Sequence, residues 1–401
     1  MIPWLTIIGM GEDGFDPLSA AAKQALENAD FVIGSQRMFA MLPPSKAEQH
    51  LWPQPFSEMV HQVKSFAHRR TVLLATGDPM NYGVARKIFE FIPREEVTVI
   101  PHLSAFTLAA ARLGWSLPDC DCFTIHGRPA ANLEAFIQPD TRLLVLTQDE
   151  TSIAEACRRL VARGFETSLV IVLENLGGPQ ERITTFAANQ NPALDWSPLN
   201  TLAIHCRVSP AAKIWSRVGG LPDEAFIHDG QLTKREVRAA TLAALAPAPD
   251  QLLWDVGAGC GSVAIEWMRS TRGCEAIAIE QNTARCAMIA QNTDQLGTPR
   301  LKLVQGEAPA ALANLPAPHA IFIGGGVGDS GVFETCWAAL RRSGRLVANV
   351  VTIEGEMHLY DLHEKHGGEL VRIAVSRLES VGKLRALKPK MPITQWRVTK
   401  P

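Results

Sequence analysis

Apolar residues along the chain fall into short runs separated by stretches of helical spacing. Leu5 to Ile8, Val72 to Ala75, Val97 to Ile100, Leu143 to Leu146 and Leu169 to Leu173 are four- or five-residue apolar blocks, the length of buried strands. Between them lie amphipathic patterns such as Leu18 to Ala29, where Asp16-Pro17 offers a helix start with proline in the first turn. Strand and helix in alternation predict an α/β fold.

The rhythm breaks over residues 207–232, where prolines, a Gly-Gly pair and the loss of periodicity place a domain boundary, giving domains 1–208 and 209–401. The second half restarts as helix (Lys234 to Leu245), strand (Leu252 to Val256), helix, strand (Ala276 to Glu280), helix (Ala284 to Leu296), strand (Leu301 to Val304), strand (Ala320 to Ile323), helix, strand (Arg345 to Val350) and helix. Its end differs: "LVRIAVSRLESVG" and "PITQWRVTK" are β-like runs with no helix between them. They predict an antiparallel pair at one edge of an otherwise parallel sheet.

Bulk properties narrow the class. A chain of 401 residues exceeds the size of one core and suits two domains of about 200 residues. A net charge of -2 gives no basic field for nucleic acid. Eight cysteines occur without a C-x-x-C pair, which fits a reduced cytoplasm; Cys120 and Cys122 read as bystanders at a strand mouth, and no metal site is expected. The N-terminal stretch lacks a basic leader and no apolar run approaches about 18 residues, so neither export nor membrane insertion is expected.

The candidate chemistry sits in "LLWDVGAGCGSVAIEW". Gly257, Gly259 and Gly261 follow a strand and precede a helix, where positive φ and free N–H groups suit a polar ligand. Glu280 ends the next strand and can accept hydrogen bonds from both hydroxyls of a ribose. The spacing is G-x-G-x-G rather than G-x-G-x-x-G, which counts against a nicotinamide dinucleotide, although the loop alone suits several nucleotides. Thr233 with Glu236 matches a capping box, so helix capping and ligand contact are both open. Gly324 to Gly326 follow another strand and either approach a ligand or turn the chain.

The run "DEAFIHDGQLTKREVRA…LLWDVGAGCGSVAIEW…AIAIE…VQGEAPAAL…AIFIGGG" resembles the class I S-adenosylmethionine (SAM) methyltransferases of cobalamin biosynthesis that methylate C15 of the precorrin ring and remove an acetate carboxyl. The resemblance implies a Rossmann-like domain with a terminal antiparallel hairpin. It implies that Gly257, Ala258, Gly259, Cys260 and Gly261 wrap the methionine part of SAM, that Glu280 binds its ribose, that Gly306, Glu307 and Ala308 lie against the adenine, and that Thr233 closes over the cofactor.

In the first half, "IIGMGEDGFDPLSAAAKQAL", "LLATGDPMNYGVA", "VIPHLSAFTLAAARLGW", "TIHGRP" and "VLENLGGPQERIT" resemble the tetrapyrrole methylase family, most closely its C5-methylating branch. Two α/β lobes with SAM folded in the cleft between them are implied. The corresponding loops hold Gly9 and Gly11; Asp78, Tyr82 and Gly83; and Ser104 with Ala105. "PHLSA" has Leu103 where P-x-P-S-A carries proline. Taken singly, Ser104 reads as a helix cap, Asp78-Pro79 as a turn and His126 as a strand-end histidine.

Together the two resemblances imply an enzyme with two SAM sites and no metal that methylates C5 and C15 of precorrin-6B, also met as precorrin-6Y, and decarboxylates the ring C acetate to give precorrin-8X. The other classes weighed are a SAM methyltransferase acting on RNA or protein and a non-catalytic tetrapyrrole carrier. The sulfonium methyl is already electrophilic, so positioning of an electron-rich carbon suffices and no nucleophile–base triad is required. The substrate's acetates and propionates call for cations; Arg128, Lys234, Arg235 and Arg377 are candidates. A cytoplasmic homo-oligomer is expected.

Overall fold

The computed structural model describes residues 3–53 and 55–401. The chain divides into two compact units: residues 1–130 with 139–213, and residues 131–138 with 214–401.

The first unit holds two five-stranded sheets. One comprises β1 (Leu5–Met10), β2 (Phe31–Gly34), β3 (Glu48–Leu51), β4 (Thr71–Thr76) and β5 (Val97–Ile100) in the order β3-β2-β4-β1-β5, all parallel. Alternate residues of β1 enter opposite cores. Leu5 and Ile7 pack with Ile33 and Leu73, whereas Ile8 and Met10 pack with Val32 and Leu74, which is why β1 reads as a continuous apolar run. The other sheet comprises β6 (Cys120–Thr124), β7 (Arg142–Leu146), β8 (Leu169–Glu174), β9 (Arg182–Ala187) and β10 (Asn200–His205) in the order β6-β7-β10-β8-β9. Only the β6–β7 pair is parallel.

The helix expected over Leu18 to Ala29 spans Ala20–Glu27, and its start differs from the Asp16-Pro17 expectation. Pro17 lies in a turn, and the N-cap is Ser19, whose hydroxyl accepts the Ala22 N–H at 3.2 Å. A cap that satisfies an orphan N–H outweighs a proline that merely has a compatible φ.

The second unit is built on a seven-stranded sheet of β11 (Leu252–Val256), β12 (Glu275–Glu280), β13 (Lys302–Gln305), β14 (Ala320–Ile323), β15 (Arg345–Val350), β16 (Glu369–Ile373) and β19 (Ile393–Thr399), in the order β13-β12-β11-β14-β15-β19-β16. Trp254 and Val256 face one core with Ile321, Ile323 and Trp396; Leu253 faces the other with Ala276, Phe322 and Val347. β19 runs antiparallel to both β15 and β16, the antiparallel edge that the final β-like runs predict. The run "LVRIAVSRLESVG" is not one strand, however. It breaks after Ile373, and its second part becomes β17 (Ser376–Val381), which pairs with β18 (Leu384–Pro389) in a separate hairpin about Gly382.

Candidate active sites

β11 lies inside its sheet: the chain proceeds outward through β12 and β13 on one side and returns through β14 and β15 on the other. The carboxyl end of β11 is therefore a topological switch point, where the connections diverge and leave a crevice. Gly257, Gly259 and Gly261 occupy that end with φ of +72°, +60° and +80°, conformations that side chains with a Cβ adopt only under strain. The N–H groups of Gly257 and Ala258 donate to the Ile279 carbonyl, both at 3.0 Å, and so bind the loop to β12.

Glu280 closes the crevice. Its buried carboxylate accepts the Gly259 N–H at 2.8 Å on one oxygen and the Asn282 N–H at 2.9 Å on the other. Each oxygen retains a lone pair, and the side chain lines a cavity of about 1410 Å³. Gly257, Ala258, Gly259, Gly306, Glu307, Ala308 and Thr233 also line it, as do Gly324 to Gly326. Three expected residues do not. Cys260 is buried against Leu221 and Phe226, with its thiol pushed up by burial. Gly261 is the N-cap of helix Ser262–Ser270, with Ile289 3.2 Å from where a Cβ would stand. Arg235 is exposed at the start of its helix, its N–H donating to Asp223 at 2.9 Å.

The T-x-x-E capping box does not form. Lys234, in extended conformation, is the N-cap of helix Arg235–Leu245 and makes no side-chain cap bond, while Glu236 accepts Arg377 Nη2 at 2.6 Å. Arg377 also reaches Asp223 at 3.2 Å, so this lining arginine is held by two carboxylates. The ion pair wins Glu236 because a charged partner outweighs a backbone N–H. Lys234 lines the cavity with its ammonium on the Gly230 carbonyl at 3.2 Å.

The Thr233 segment is held by a network that no sequence pattern announces. Arg238, fully buried, donates to Glu266 at 2.6 Å, to Asp223 at 3.3 Å and to the carbonyls of Thr233 and Leu221. Glu266 in turn accepts the N–H groups of Gly220 at 2.6 Å and Leu221 at 2.9 Å. Under the glycine loop lies Asp255, fully buried, with Oδ2 accepting the Ala264 N–H at 3.0 Å and Oδ1 without a hydrogen-bond partner. Burial pushes its carboxyl up to about 7; Glu280 adds to the rise and the Ala264 N–H opposes it. The one acid inside the apolar strand "LLWDV" was the available signal for it.

In the first unit the loops after β1, β4 and β5 converge at one end of the parallel sheet. A Cβ on Gly9 would overlap the Gly77 carbonyl and stand 2.7 Å from the His102 nitrogen, so only glycine allows the three loops to meet. Gly11, Gly77, Leu103 and Ala105 line a small cleft of about 60 Å³, together with Asn175, just past the end of β8, and Asn200, the first residue of β10.

Gly9, Asp78, Tyr82, Gly83 and Ser104 are not among the residues that line this cleft. Ser104 is an N-cap, accepting the Thr107 N–H at 3.1 Å. Asp78 accepts the Met80 N–H at 2.9 Å within its own turn, and Gly83 packs against Pro79, with a Cβ position 2.6 Å from its carbonyl carbon. Tyr82, at φ +57°, donates its hydroxyl to the Cys122 carbonyl at 3.2 Å, and the Arg128 guanidinium stands 5.6 Å from its ring centre. Cys122 is a free thiol pushed up by burial to about 11. Among the described residues, no cluster of three or more His, Cys, Asp or Glu could hold a metal ion, and no helix is long and apolar enough to cross a membrane.

Comparison with known proteins finds two family models along the chain. Residues 4–190 match the model of the tetrapyrrole (corrin/porphyrin) methylases, and residues 224–400 that of the precorrin methyltransferase domain. A precorrin-6Y C(5,15)-methyltransferase [decarboxylating] of Sinorhizobium sp is 43% identical over 399 residues, covering 99% of this chain and 97% of its own. The protein of the same name from Mycobacterium tuberculosis is 37% identical over 400 residues, covering 99% and 100%. The crystal structure of the C-terminal domain of precorrin-6Y C5,15-methyltransferase from Rhodobacter capsulatus is 47% identical, covers 46% of this chain and 100% of that domain, and superposes with a TM-score of 0.44. With similarity of this degree running the whole length of the chain, over two domains that each open on a glycine-lined cleft, the protein belongs to the precorrin-6Y C5,15-methyltransferase (decarboxylating) family.

Proposed function

We propose that residues 1–208 methylate C5 of the precorrin macrocycle, and that residues 209–401 methylate C15 and remove the ring C acetate carboxyl, so that the chain converts precorrin-6B to precorrin-8X with two molecules of SAM. SAM supplies a methyl group made electrophilic by its sulfonium. The chain's own part is to hold and desolvate. In the second domain the residue types and the cavity fit that ligand: Gly257 to Gly259 leave bare backbone at the switch point, and the lone pairs of Glu280 suit a ribose diol. Gly306 to Ala308 are assigned to the adenine and Thr233 to the covering segment. In the first domain the loops after β1 (Gly9, Gly11), β4 (Gly77) and β5 (Ala105) are assigned to the second cofactor, with Asp78, Tyr82, Gly83 and Ser104 shaping them.

Lys234 and Arg377 line the second cavity and Arg128 stands exposed in the first domain, so these are the cations assigned to substrate carboxylates; Arg235 lies outside the lining and is assigned a weaker role at its rim. We read the protein as cytoplasmic, with no metal and no nucleic acid among its partners. We also read it as a homo-oligomer. The β17–β18 hairpin exposes the cross-strand pair Leu378 and Leu387 on one face and Val381 and Leu384 on the other, at 57 to 77% exposure, apolar surface that a second copy would cover. Light scattering should then give a mass above one chain.

The observation that carries this reading is the Glu280 carboxylate anchored to the Gly259 N–H on the wall of a cavity of about 1410 Å³. Incubation with precorrin-6B and SAM should add two methyls and release one CO₂ per turnover. A single methyl without CO₂ contradicts it.

A further inference from the structure

The loop after β6 carries a histidine whose tautomer is fixed by its neighbours. His126 Nδ1 lies 3.2 Å from the Thr147 carbonyl oxygen. A carbonyl only accepts, so Nδ1 bears the hydrogen and Nε2 of the neutral ring is a basic lone pair. The backbone around it is held as well: the His126 N–H meets Thr124 Oγ1 at 3.0 Å, and the Gly127 N–H meets Gln148 Oε1 at 2.6 Å.

This loop belongs to the end of the sheet that faces the cleft of the first domain. Thr124 is level with Leu146, and Leu146 with Thr201, so the ends of β6 and β7 and the start of β10 are aligned. The Thr147 hydroxyl donates to the Asn200 carbonyl at 2.6 Å, and Asn200 and Thr201 line the cleft. His126 therefore stands two strand spacings from that wall, on the order of 10 Å. On its other side Arg128 lies over the half-exposed Tyr82 ring, which meets Phe106 edge-on at 5.9 Å, next to the lining residue Ala105. Among the described residues, neither His126 nor Arg128 has a carboxylate partner, and both are exposed.

Resting on the reading of this domain as the C5 methylase, we infer that His126 accepts the proton that C5 must lose. Methylation uses a π pair of the macrocycle to form the C5–CH3 bond and breaks the methyl–sulfur bond, whose pair remains on a neutral thioether. C5 still bears its hydrogen at that stage. Breaking C5–H returns the bonding pair to the conjugated ring and places the proton on His126 Nε2, so one methyl is gained, one proton is lost and no oxidant enters. Two neighbouring side chains make local bonds of their own: the Tyr82 hydroxyl donates to the Cys122 carbonyl at 3.2 Å, and Asp78 Oδ1 accepts the Met80 N–H at 2.9 Å within its own turn. Arg128 supplies the cation that holds a peripheral carboxylate of the macrocycle.

The test uses the full chain, with the C15 reaction as internal control. In H126A the C5 methylation rate should fall by at least about 100-fold, with SAM affinity, substrate KM and C15 decarboxylating methylation unchanged. Imidazole added to H126A should restore part of the C5 rate. H126Q, which keeps the hydrogen-bonding shape, should show the same loss. Nitrogen NMR of histidine-labelled protein without SAM should find His126 protonated at Nδ1. Wild-type methylation at C5 with an undiminished rate in H126A and H126Q would overturn the inference alone. So would a hydrogen on Nε2, or a loss accompanied by weakened SAM binding that imidazole does not relieve. A wild-type enzyme that leaves C5 unmethylated would overturn the reading of the domain as well.

Discussion

The Glu280 carboxylate accepts the backbone N–H of Gly259 at 2.8 Å, tying the end of β12 to the turn that leaves β11. One side chain thus shapes the glycine loop and presents its remaining lone pairs to the cavity. Glu280→Ala removes both functions. Loss of one or two hydrogen bonds to a charged acceptor, each worth about 1.5–3 kcal/mol, should weaken SAM binding in the second domain by 10- to 100-fold or more. Calorimetry should show the tight sites per chain falling from two to one, with C5 methylation nearly intact. Equal loss at C5 and C15 would contradict the division of labour.

Asp255 makes stability depend on pH in an unusual direction. Its carboxyl titrates near 7 in the fold against 3.8 when free, so the folded state holds an extra proton between those values. Its stabilising contribution is complete below about pH 4 and is lost as pH rises through 7, by about 4 kcal/mol over the whole window. Asp255→Asn should flatten this component. Urea unfolding of both proteins at pH 5 and pH 7.5 gives the difference; parallel pH profiles would refute the assignment.

Arg238 is a buried cation shared by Glu266, Asp223 and two carbonyls. Arg238→Ala strands the Glu266 charge and should cost about 3–5 kcal/mol in unfolding free energy. Replacing both Arg238 and Glu266 with apolar residues should recover part of that loss. Because the Thr233 carbonyl is one of the anchors, the single variant should also weaken SAM binding in the second domain.

Two glycines separate steric need from mere occurrence. Gly9→Ala drives a methyl into the Gly77 carbonyl and should abolish SAM binding in the first domain. Gly325→Ala, on the cavity wall with no atom within 4 Å of its Cβ position, should fold normally. Thermal melts and SAM titrations of both variants check this pair.

The α/β class, the central strands, both glycine loops and Glu280 were legible because each leaves a local signature: period, punctuation, or an acid at a strand end. The helix start at Ser19 and the β17–β18 hairpin were not legible, since a competing cap and a two-residue break decided them. The T-x-x-E pattern left a cap open because a local motif gives no sign of Arg377, which lies 141 residues away and takes Glu236 for an ion pair.

Sequence alone determined that this chain would fold as two α/β domains, each opening on glycine turns, because hydrophobic periodicity and backbone freedom are properties of neighbours along the chain. Only the tertiary structure decided which residues face the cavity and which are turned away, that Asp255 is stripped of water, and that the Thr147 carbonyl fixes the tautomer of His126. Desolvation and hydrogen-bond pairing depend on distances between atoms that the chain order keeps far apart, and these come into being when the sheets close.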